Sequence, residues 1–261
     1  MRRSYANDHL RLCLARVLIV TACVAAWQAA VMARVVDPFF VSSPLAVAHD
    51  LVALFATGLV WRHLWVTVLE TLGGFSLGAV LGLLVGLALG VAPRWRHILA
   101  PLLVAVYGLP RVALAPLFIL WFGLGMLSKM VFGLSLVFFL VLFNTLAGVR
   151  AQRPEILDAL RVMGATRLQL LTKVTLPSIA PWVFAGLKSG LGMALLGAVL
   201  GEYVGGTEGL GWLIQNAAGL FQTTRVFSSL VVLMVLMVLL SAVLNAAEVR
   251  LLHWRPVDSA W

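Results

Sequence analysis

Long apolar runs separated by short polar stretches make up most of this chain. Runs of helical length cover roughly residues 12–33, 64–91, 130–149, 182–203 and 226–248, and a further, interrupted run starts near residue 97. A helix needs about 20 apolar residues to cross a bilayer. The pattern therefore predicts an all-α, polytopic membrane protein with about six transmembrane helices. The stretch at 35–65 is predicted to be a loop with a short surface helix, and the stretch at 205–225 to be a glycine-rich loop that is either re-entrant or external.

Two of these runs carry a finer pattern. In the second, glycines recur at every fourth position, which places a stripe of small residues on one helical face and predicts close packing against another helix. These are Gly74, Gly78, Gly82, Gly86 and Gly90. In the third, Pro110 and Pro116 predict a broken helix, and Arg94 and Arg96 mark a turn before it. Backbone breaks at membrane depth occur where the chain is buried in protein or lines a cavity.

Composition excludes a soluble protein. The chain is 62% hydrophobic and 11% charged, with a mean hydropathy of +1.04. The net charge of +9 is then a sign of topology rather than of nucleic-acid binding, because basic residues favour the cytoplasmic side of membrane proteins. Cys13 and Cys23 fall in the first apolar run and are predicted to be buried as small apolar residues. The basic N-terminus is similar to a signal peptide, but an uncleaved first helix is favoured.

The distribution of charge predicts that both termini are cytoplasmic. With the N-terminus inside, most of the 19 Lys and Arg residues lie on the cytoplasmic side: Arg2, Arg3, Arg11, Arg16, Arg94, Arg96, Arg150, Arg153, Arg161, Arg167, Lys173, Arg250 and Arg255. The remaining ones are Arg34, Arg62, Arg111, Lys129, Lys188 and Arg225. This layout also places the polar 154–181 segment inside. Residues 1–261 are predicted to form a single domain, because neither a long linker nor a low-complexity region divides them.

The 154–181 segment is predicted to form two short helices joined by a corner. Pro154 suits a first helical position, and Glu155 and Asp158 place negative charge near the positive end of the helix. Gly164 suits the helix stop, because glycine adopts the left-handed conformation at little steric cost. The first helix has an apolar face made of Ile156, Leu157, Leu160 and Met163. This pattern alone fits equally well an amphipathic loop lying on the membrane surface.

The second short helix has its own start and stop signals. Thr166 with Gln169 three residues later forms a capping box, which predicts the N-terminus of a helix. Pro177 and Pro181 are predicted to end that helix before the chain returns to apolar sequence.

The spacing within this segment resembles the EAA motif of ABC importer permeases. That motif is a Glu-Ala-Ala triplet, three residues, Gly, nine residues, Ile, one residue and Leu-Pro. The matching residues stand at the same intervals, with Asp, Leu and Val as the substitutions: Asp158, Ala159, Leu160, Gly164, Val174, Leu176 and Pro177. In that family the loop is a coupling helix that docks into a groove on a separate ATPase. The resemblance implies that these residues, together with Glu155, contact such a subunit.

The wider sequence is similar to permeases of the nitrate, sulfonate and taurine importer group, from about residue 40 to residue 256. Stretches that carry the similarity include LPRVALAPLFILWFGLGMLSK and GEYVGGTEGLG. The resemblance implies a type I importer permease fold in the bacterial inner membrane, a homodimer, two ATPase subunits that use ATP and Mg, and a periplasmic substrate-binding protein. No phosphate-binding loop stands in the sequence, so ATP hydrolysis is expected in the partner and no cofactor in this chain. Substrates of the group include nitrate, sulfonates, taurine and vitamin precursors.

Ionisable residues within apolar runs are candidates for the translocation path, because they usually face protein or water. Arg111, Glu70 and Glu202 are the predicted path residues, and Arg111 beside the break would attract an anion. The resemblance predicts a basic residue near Glu70 in the sequence, and none stands there. Lys188 and Glu202 equally fit side chains that reach a membrane interface.

Other polar residues have simpler interpretations. Asn144 and Asn245 are predicted to bond between helices, and His63 to lie at the membrane interface. Two other classes of protein are disfavoured. A secondary transporter should show internal repeats and a membrane enzyme should show clustered His, Asp or Glu, and the sequence shows neither feature.

Overall fold

The computed structural model describes residues 2–253, with side chains from residue 14 onward. Cys13, Arg2, Arg3 and Arg11 therefore have side chains outside the described part, and Arg255 lies wholly outside it. Every regular element between residues 2 and 253 is helical. The α-helices are α1 (Arg2–Met32), α2 (Pro38–Val41), α3 (Pro44–Ala56), α4 (Leu59–Val91), α5 (Pro93–Tyr107), α6 (Ala115–Phe122), α7 (Met126–Arg150), α8 (Pro154–Val162), α9 (Arg167–Leu170), α10 (Leu176–Gly205), α11 (Leu210–Gly219) and α12 (Thr223–Leu251).

Within this described range, five helical segments are long and apolar enough to cross a membrane, and a sixth span results if one bent pair is counted. The five are Leu14–Met32, Leu59–Val91, Met126–Arg150, Arg167–Gly205 and Thr223–Leu251. The predicted class, an all-α polytopic membrane protein with about six spans, is confirmed. Cys23 is exposed rather than buried, because only 6% of the first span is covered by the rest of this chain.

The described residues divide into two compact units, and residues 2–61 with 213–232 form the first. Ser43 caps α3 and Pro44 occupies its first turn, which fits the extended backbone before a helix start. Arg225 of α12 holds Asp50 of α3 through two guanidinium nitrogens, at 2.7 to 3.0 Å. The Ser42 hydroxyl bonds that of Thr224 at 2.8 Å, so polar contacts hold these helix ends together.

The second unit holds residues 62–212 and the described residues from 233 to 253, and side chains of α4, α7 and α10 pack together in its core. The glycine stripe of α4 packs on α7 as predicted. A methyl group built on Gly82 would lie 2.6 Å from the Phe138 carbonyl oxygen, and one on Gly78 would lie 2.9 Å from that of Leu134. Backbones this close leave no room for a side chain, which is how small residues bring membrane helices together.

The third span is broken near Pro110, as predicted. Helix α5 ends at Tyr107, a 3₁₀ turn covers Arg111–Leu114, and α6 continues at an angle of 76°. Pro116 does not break a helix but occupies the first turn of α6, where its missing N–H has no partner to lose. Arg94 and Arg96 do not mark a turn between helices. Both lie at the start of α5, because Pro93 begins that helix directly after Ala92.

The expectation that Pro177 and Pro181 end a helix is wrong. A π-helical turn, Leu171–Thr175, joins α9 to α10, so one apolar helical segment runs from Arg167 to Gly205. Pro177 lies in the first turn of α10, and Pro181 lies inside that helix. In a π turn the hydrogen bonds join residues five apart instead of four. This turn lies just before Pro177, which has no backbone N–H to donate.

Candidate functional site

Helix α8 forms as the sequence predicts. Pro154 occupies its first turn together with Glu155, whose negative charge suits that end of the helix. Asp158 and Arg161 form an ion pair at 2.7 Å, one turn apart on an exposed face. Because both side chains are more than 60% exposed, this pair contributes little to stability.

Gly164 ends α8 in a Schellman motif. Its φ of +88° lies in the left-handed region. The Gly164 N–H donates to the Arg161 carbonyl at 2.9 Å, and the Ala165 N–H donates to the Leu160 carbonyl at 3.0 Å, so the last carbonyls of the helix are satisfied. A methyl group on Gly164 would meet nothing within 4 Å. The requirement for glycine is therefore conformational rather than steric.

The corner leads into a second helix start. The Thr166 hydroxyl accepts from the Gln169 N–H at 3.3 Å, and the Gln169 side chain accepts from the Thr166 N–H at 2.8 Å. The predicted capping box is therefore present. Gly164 and Thr166 together fix the angle between α8 and the helix that follows.

A cleft of about 290 Å³ separates α8 from the adjoining ends of α7 and α10. Val174 of the motif lies in the wall of this cleft. Gln152 also lines the cleft, and its side-chain amide donates to the Thr175 carbonyl at 3.4 Å. Leu176 and Pro177 follow in the first turn of α10, and Asp158, Ala159 and Leu160 lie on α8. The cleft is lined by Gly148, Ala151, Gln152, Arg153, Ile156, Leu157, Val174, Ser178 and Trp182.

The apolar face of α8 is only partly covered by this chain. Leu157 and Leu160 are half-buried, whereas Ile156 and Met163 are exposed. Val162, the last residue of α8, has 90% of its surface exposed. Apolar side chains this exposed in a polar segment are typical of a surface that binds a partner or lipid.

Arg111 lies at the break in the third span and contacts its own chain on several sides. Its guanidinium carbon is 4.3 Å from the ring centre of Phe139 and 5.1 Å from that of Tyr107. It also donates to the Ser135 carbonyl at 2.9 Å. Aromatic faces stabilise a cation without neutralising its charge, so Arg111 remains a source of positive potential beside the break.

Glu70 of α4, Lys129 of α7 and Glu202 of α10 form a buried carboxylate cluster. The two glutamates are 1% and 0% exposed and the lysine is 5% exposed, with the Lys129 ammonium 3.2 Å from a Glu70 oxygen. Glu202 therefore does not reach a membrane interface, whereas Lys188 stays partly exposed and pairs with Glu248. Sequence reasoning missed Lys129, although a lysine at the start of an apolar span is a signal in itself. Lys129 of α7 supplies the basic residue that the sequence lacks near Glu70 of α4.

The carboxylate of Glu202 organises the loop that joins α10 to α11. One of its oxygens accepts from the Thr67 hydroxyl and the other from the Gly211 N–H, both at 2.6 Å. The Leu210 N–H donates to the Thr67 hydroxyl oxygen at 2.9 Å. We call residues 206–211, which include the first two residues of α11, the 206–211 loop. Polar groups of α4 and α10 hold this loop in place.

His63 also supports this loop and is buried within the chain. It is 4% exposed, stacks on Trp212 at 5.2 Å between ring centres, and accepts from the Gly209 N–H through Nδ1 at 3.1 Å. An accepting Nδ1 carries no proton, so this contact requires the neutral ring. Nearby, Glu208 pairs with Arg62, and this guanidinium lowers the pKa of the Glu208 carboxyl.

Asn144 does not bond between helices. Among the described residues its amide donates to the Leu140 carbonyl of the same helix at 2.8 Å, and Gly186 of α10 lies against its Cβ. Asn245 lies on α12, where its predicted role stays a prediction.

The comparisons agree with this architecture. Solved structures of the MetNI methionine ABC transporter match with a TM-score of 0.62 at 21% identity, covering 75% of this chain and 94% of the matched chain. That likeness, together with the spans, defines the fold as that of a type I ABC importer permease, as predicted.

Sequence relatives give the family. Residues 78–253 match the model of the binding-protein-dependent transport system inner membrane component. The riboflavin transport system permease protein RibX of Chloroflexus aurantiacus is 37% identical over 87% of this chain and 85% of its own. A putative aliphatic sulfonates transport permease protein, SsuC of Bacillus subtilis, is 32% identical over 91% and 86%. The chain belongs to this family: it is the permease subunit of an ABC importer, a transport protein rather than an enzyme.

Proposed function

We propose that this permease forms the path for a small anionic, sulfonate-like solute delivered by a periplasmic binding protein. It works as a homodimer in the inner membrane, and two ATPase subunits that consume ATP and Mg bind it through the 154–181 segment. The observation that carries this proposal is the corner at Gly164, which holds α8 with an apolar face that this chain leaves exposed. The EAA-type spacing of that segment supplies the reason to assign the face to an ATPase rather than to lipid.

The coupling proposal is tested by replacing Gly164 with side chains that differ only in their tolerance of its conformation. Gly164→Val places a β-branched residue at a positive φ, which is strongly disfavoured, whereas Gly164→Asn keeps a residue that adopts this region. We expect the Val variant to insert normally but to lose ATPase co-purification and substrate-stimulated hydrolysis. The Asn variant should retain both. Equal coupling in the two variants would show that the segment is only a surface connector.

Orientation follows from the charge distribution, with both termini and the 154–181 segment in the cytoplasm. Its test labels single cysteines at two exposed sites, Val162 and Thr207, in a background without Cys13 and Cys23. An impermeant thiol reagent applied outside should label Thr207→Cys only. Labelling of Val162→Cys from outside would overturn the layout.

The anionic substrate is supported by Arg111 and by the sulfonate relative. Arg111 lies at the broken span, where backbone departs from the helical ladder and a cavity is tolerated. The predicted path roles of Glu70 and Glu202 stay predictions, and their carboxyls are covered by this chain's own atoms. We expect Arg111→Ala, compared with Arg111→Lys, to abolish uptake of a labelled alkanesulfonate or taurine at unchanged membrane abundance. Uptake of riboflavin instead of a sulfonate would assign the other substrate class.

A further inference from the structure

The buried carboxylate cluster contains more acidic groups than basic groups. Two carboxyl groups, Glu70 and Glu202, meet one ammonium, Lys129, at sites that are at most 5% exposed. If all three were ionised, a net negative charge would lie buried among apolar helices. An uncompensated buried charge is strongly unfavourable, and a carboxyl group in that position takes up a proton instead.

The hydrogen bonds show which carboxyl group is ionised. Glu202 accepts a short bond at each oxygen, from Thr67 and from the Gly211 N–H. Hydrogen bonds of this kind stabilise the carboxylate form. Glu70 differs, because no donor among the described residues makes a hydrogen bond of good geometry to either of its oxygens. The Lys129 ammonium approaches only one of them, at 3.2 Å.

The Glu70 and Glu202 carboxyl groups are near neighbours in this cluster, close enough for a hydrogen bond once one of them carries a proton. Two ionised carboxylates only accept, so a bond between them needs a proton on one. Glu202 already has two donors, whereas Glu70 has an oxygen without one. A protonated Glu70 that donates to Glu202 therefore satisfies both groups and leaves the cluster with one carboxylate charge to balance the one ammonium of Lys129.

We propose that Glu70 and Glu202 hold one proton between them, carried on Glu70, and that this proton-bound pair fixes the 206–211 loop. The loop packs closely against the Glu202 carboxylate. A methyl group on Gly209 would lie 2.1 Å from the carboxyl carbon of Glu202, and one on Gly211 would lie 2.9 Å from its oxygen. Any shift of that carboxylate consequently moves the loop.

Removal of the proton makes the cluster negative and loosens the loop. The charged and titratable groups that face it are Lys129 on α7, Arg62 and His63 on α4, and Glu208 in the loop. Arg62 is engaged with Glu208, and His63 is neutral while it accepts from Gly209. Lys129 is therefore the sole counter-charge among these groups that contacts Glu70. The proposal concerns a proton site of the permease itself and goes beyond its substrate and its ATPase contact.

Infrared spectroscopy of the purified protein in lipid vesicles at neutral pH tests the proton directly. Wild type should show the carbonyl band of a protonated carboxylic acid, with a shift in D₂O. Glu70→Gln, which mimics the protonated acid, should fold and lose the band. Glu248→Gln, at a carboxylate paired with Lys188 elsewhere, should keep it. Absence of the band in wild type, or its survival in Glu70→Gln with loss in Glu202→Gln, would overturn the assignment.

Thiol labelling tests the loop. In the cysteine-free background, the labelling rate of Thr207→Cys should rise severalfold at alkaline pH relative to Thr57→Cys, an exposed control that corrects for thiol ionisation. Adding Glu70→Gln should remove that rise. A ratio that stays flat in the wild-type cluster contradicts the loop's dependence on the proton. If Glu70→Gln does not fold, the wild-type band and the labelling ratio must still titrate together.

Discussion

The 154–181 segment and the buried carboxylate cluster break the usual distribution of residues in opposite ways. The first exposes apolar side chains, with Val162 and Met163 90% and 81% exposed. The second buries charge, with Glu70 and Glu202 at most 1% exposed. An exposed apolar face is complete only with a partner, whereas a buried polar cluster is complete within the chain. The first region is the proposed coupling surface, and the second holds helices of the permease together.

The same difference appears in one glycine from each region. Gly164 and Gly209 both have positive φ, +88° and +107°. A methyl group on Gly164 would stand in open space, while one on Gly209 would meet the Glu202 carboxylate. Gly164 is therefore needed for backbone conformation alone. Gly209 is needed for conformation and for space.

The largest effect is expected from removing the carboxylate at the centre of the cluster. Glu202→Ala leaves the Gly211 N–H and the Thr67 hydroxyl without their acceptor, and removing one member of a buried ionic cluster costs about 3–5 kcal/mol. Thermal unfolding in detergent should show this loss. Glu248→Ala, at a half-buried pair with Lys188, should lose less than about 1 kcal/mol. Equal losses would mean that the cluster contributes no more than a surface pair.

A substitution at Gly209 sharpens the comparison of the two glycines. Gly209→Ala places a Cβ against a carboxylate whose two hydrogen bonds resist movement, in addition to the penalty of about 1–2 kcal/mol for a left-handed residue. Gly164→Ala incurs only that penalty. We expect the first to lower the unfolding temperature clearly more than the second, at equal expression.

The smallest effect concerns pH. Because Arg62 lowers the pKa of Glu208, the stabilisation from this pair is fully present above the ordinary glutamate value of 4.5 and is lost as pH falls through the lowered value. The unfolding temperature should therefore fall slightly faster below pH 4.5 in wild type than in Glu208→Gln. Both groups are exposed to solvent, so salt should weaken the difference.

Local chemistry made much of the structure predictable. The glycine stripe, the break at Pro110, the Gly164 corner and the Thr166 capping box each depend on neighbouring residues or on one helical face, and the sequence displays these directly. The buried cluster joins Glu70 to Lys129 and Glu202 from three separate helices, and no local pattern pairs them. The continuation of the helix through Pro177 was not predicted either, because a π turn precedes that residue and no sequence signal marks such a turn.

The most direct test of the coupling surface is a cross-link between α8 and the ATPase. Val162→Cys in the cysteine-free background, carrying a short photoactivatable thiol reagent, should cross-link to the ATPase subunit in the assembled complex. Leu120→Cys, also exposed but on α6, is the matched control and should not. Cross-linking of Val162→Cys to the ATPase alone is the predicted result. Cross-linking of Val162→Cys only to lipid, with the ATPase bound, would contradict the account.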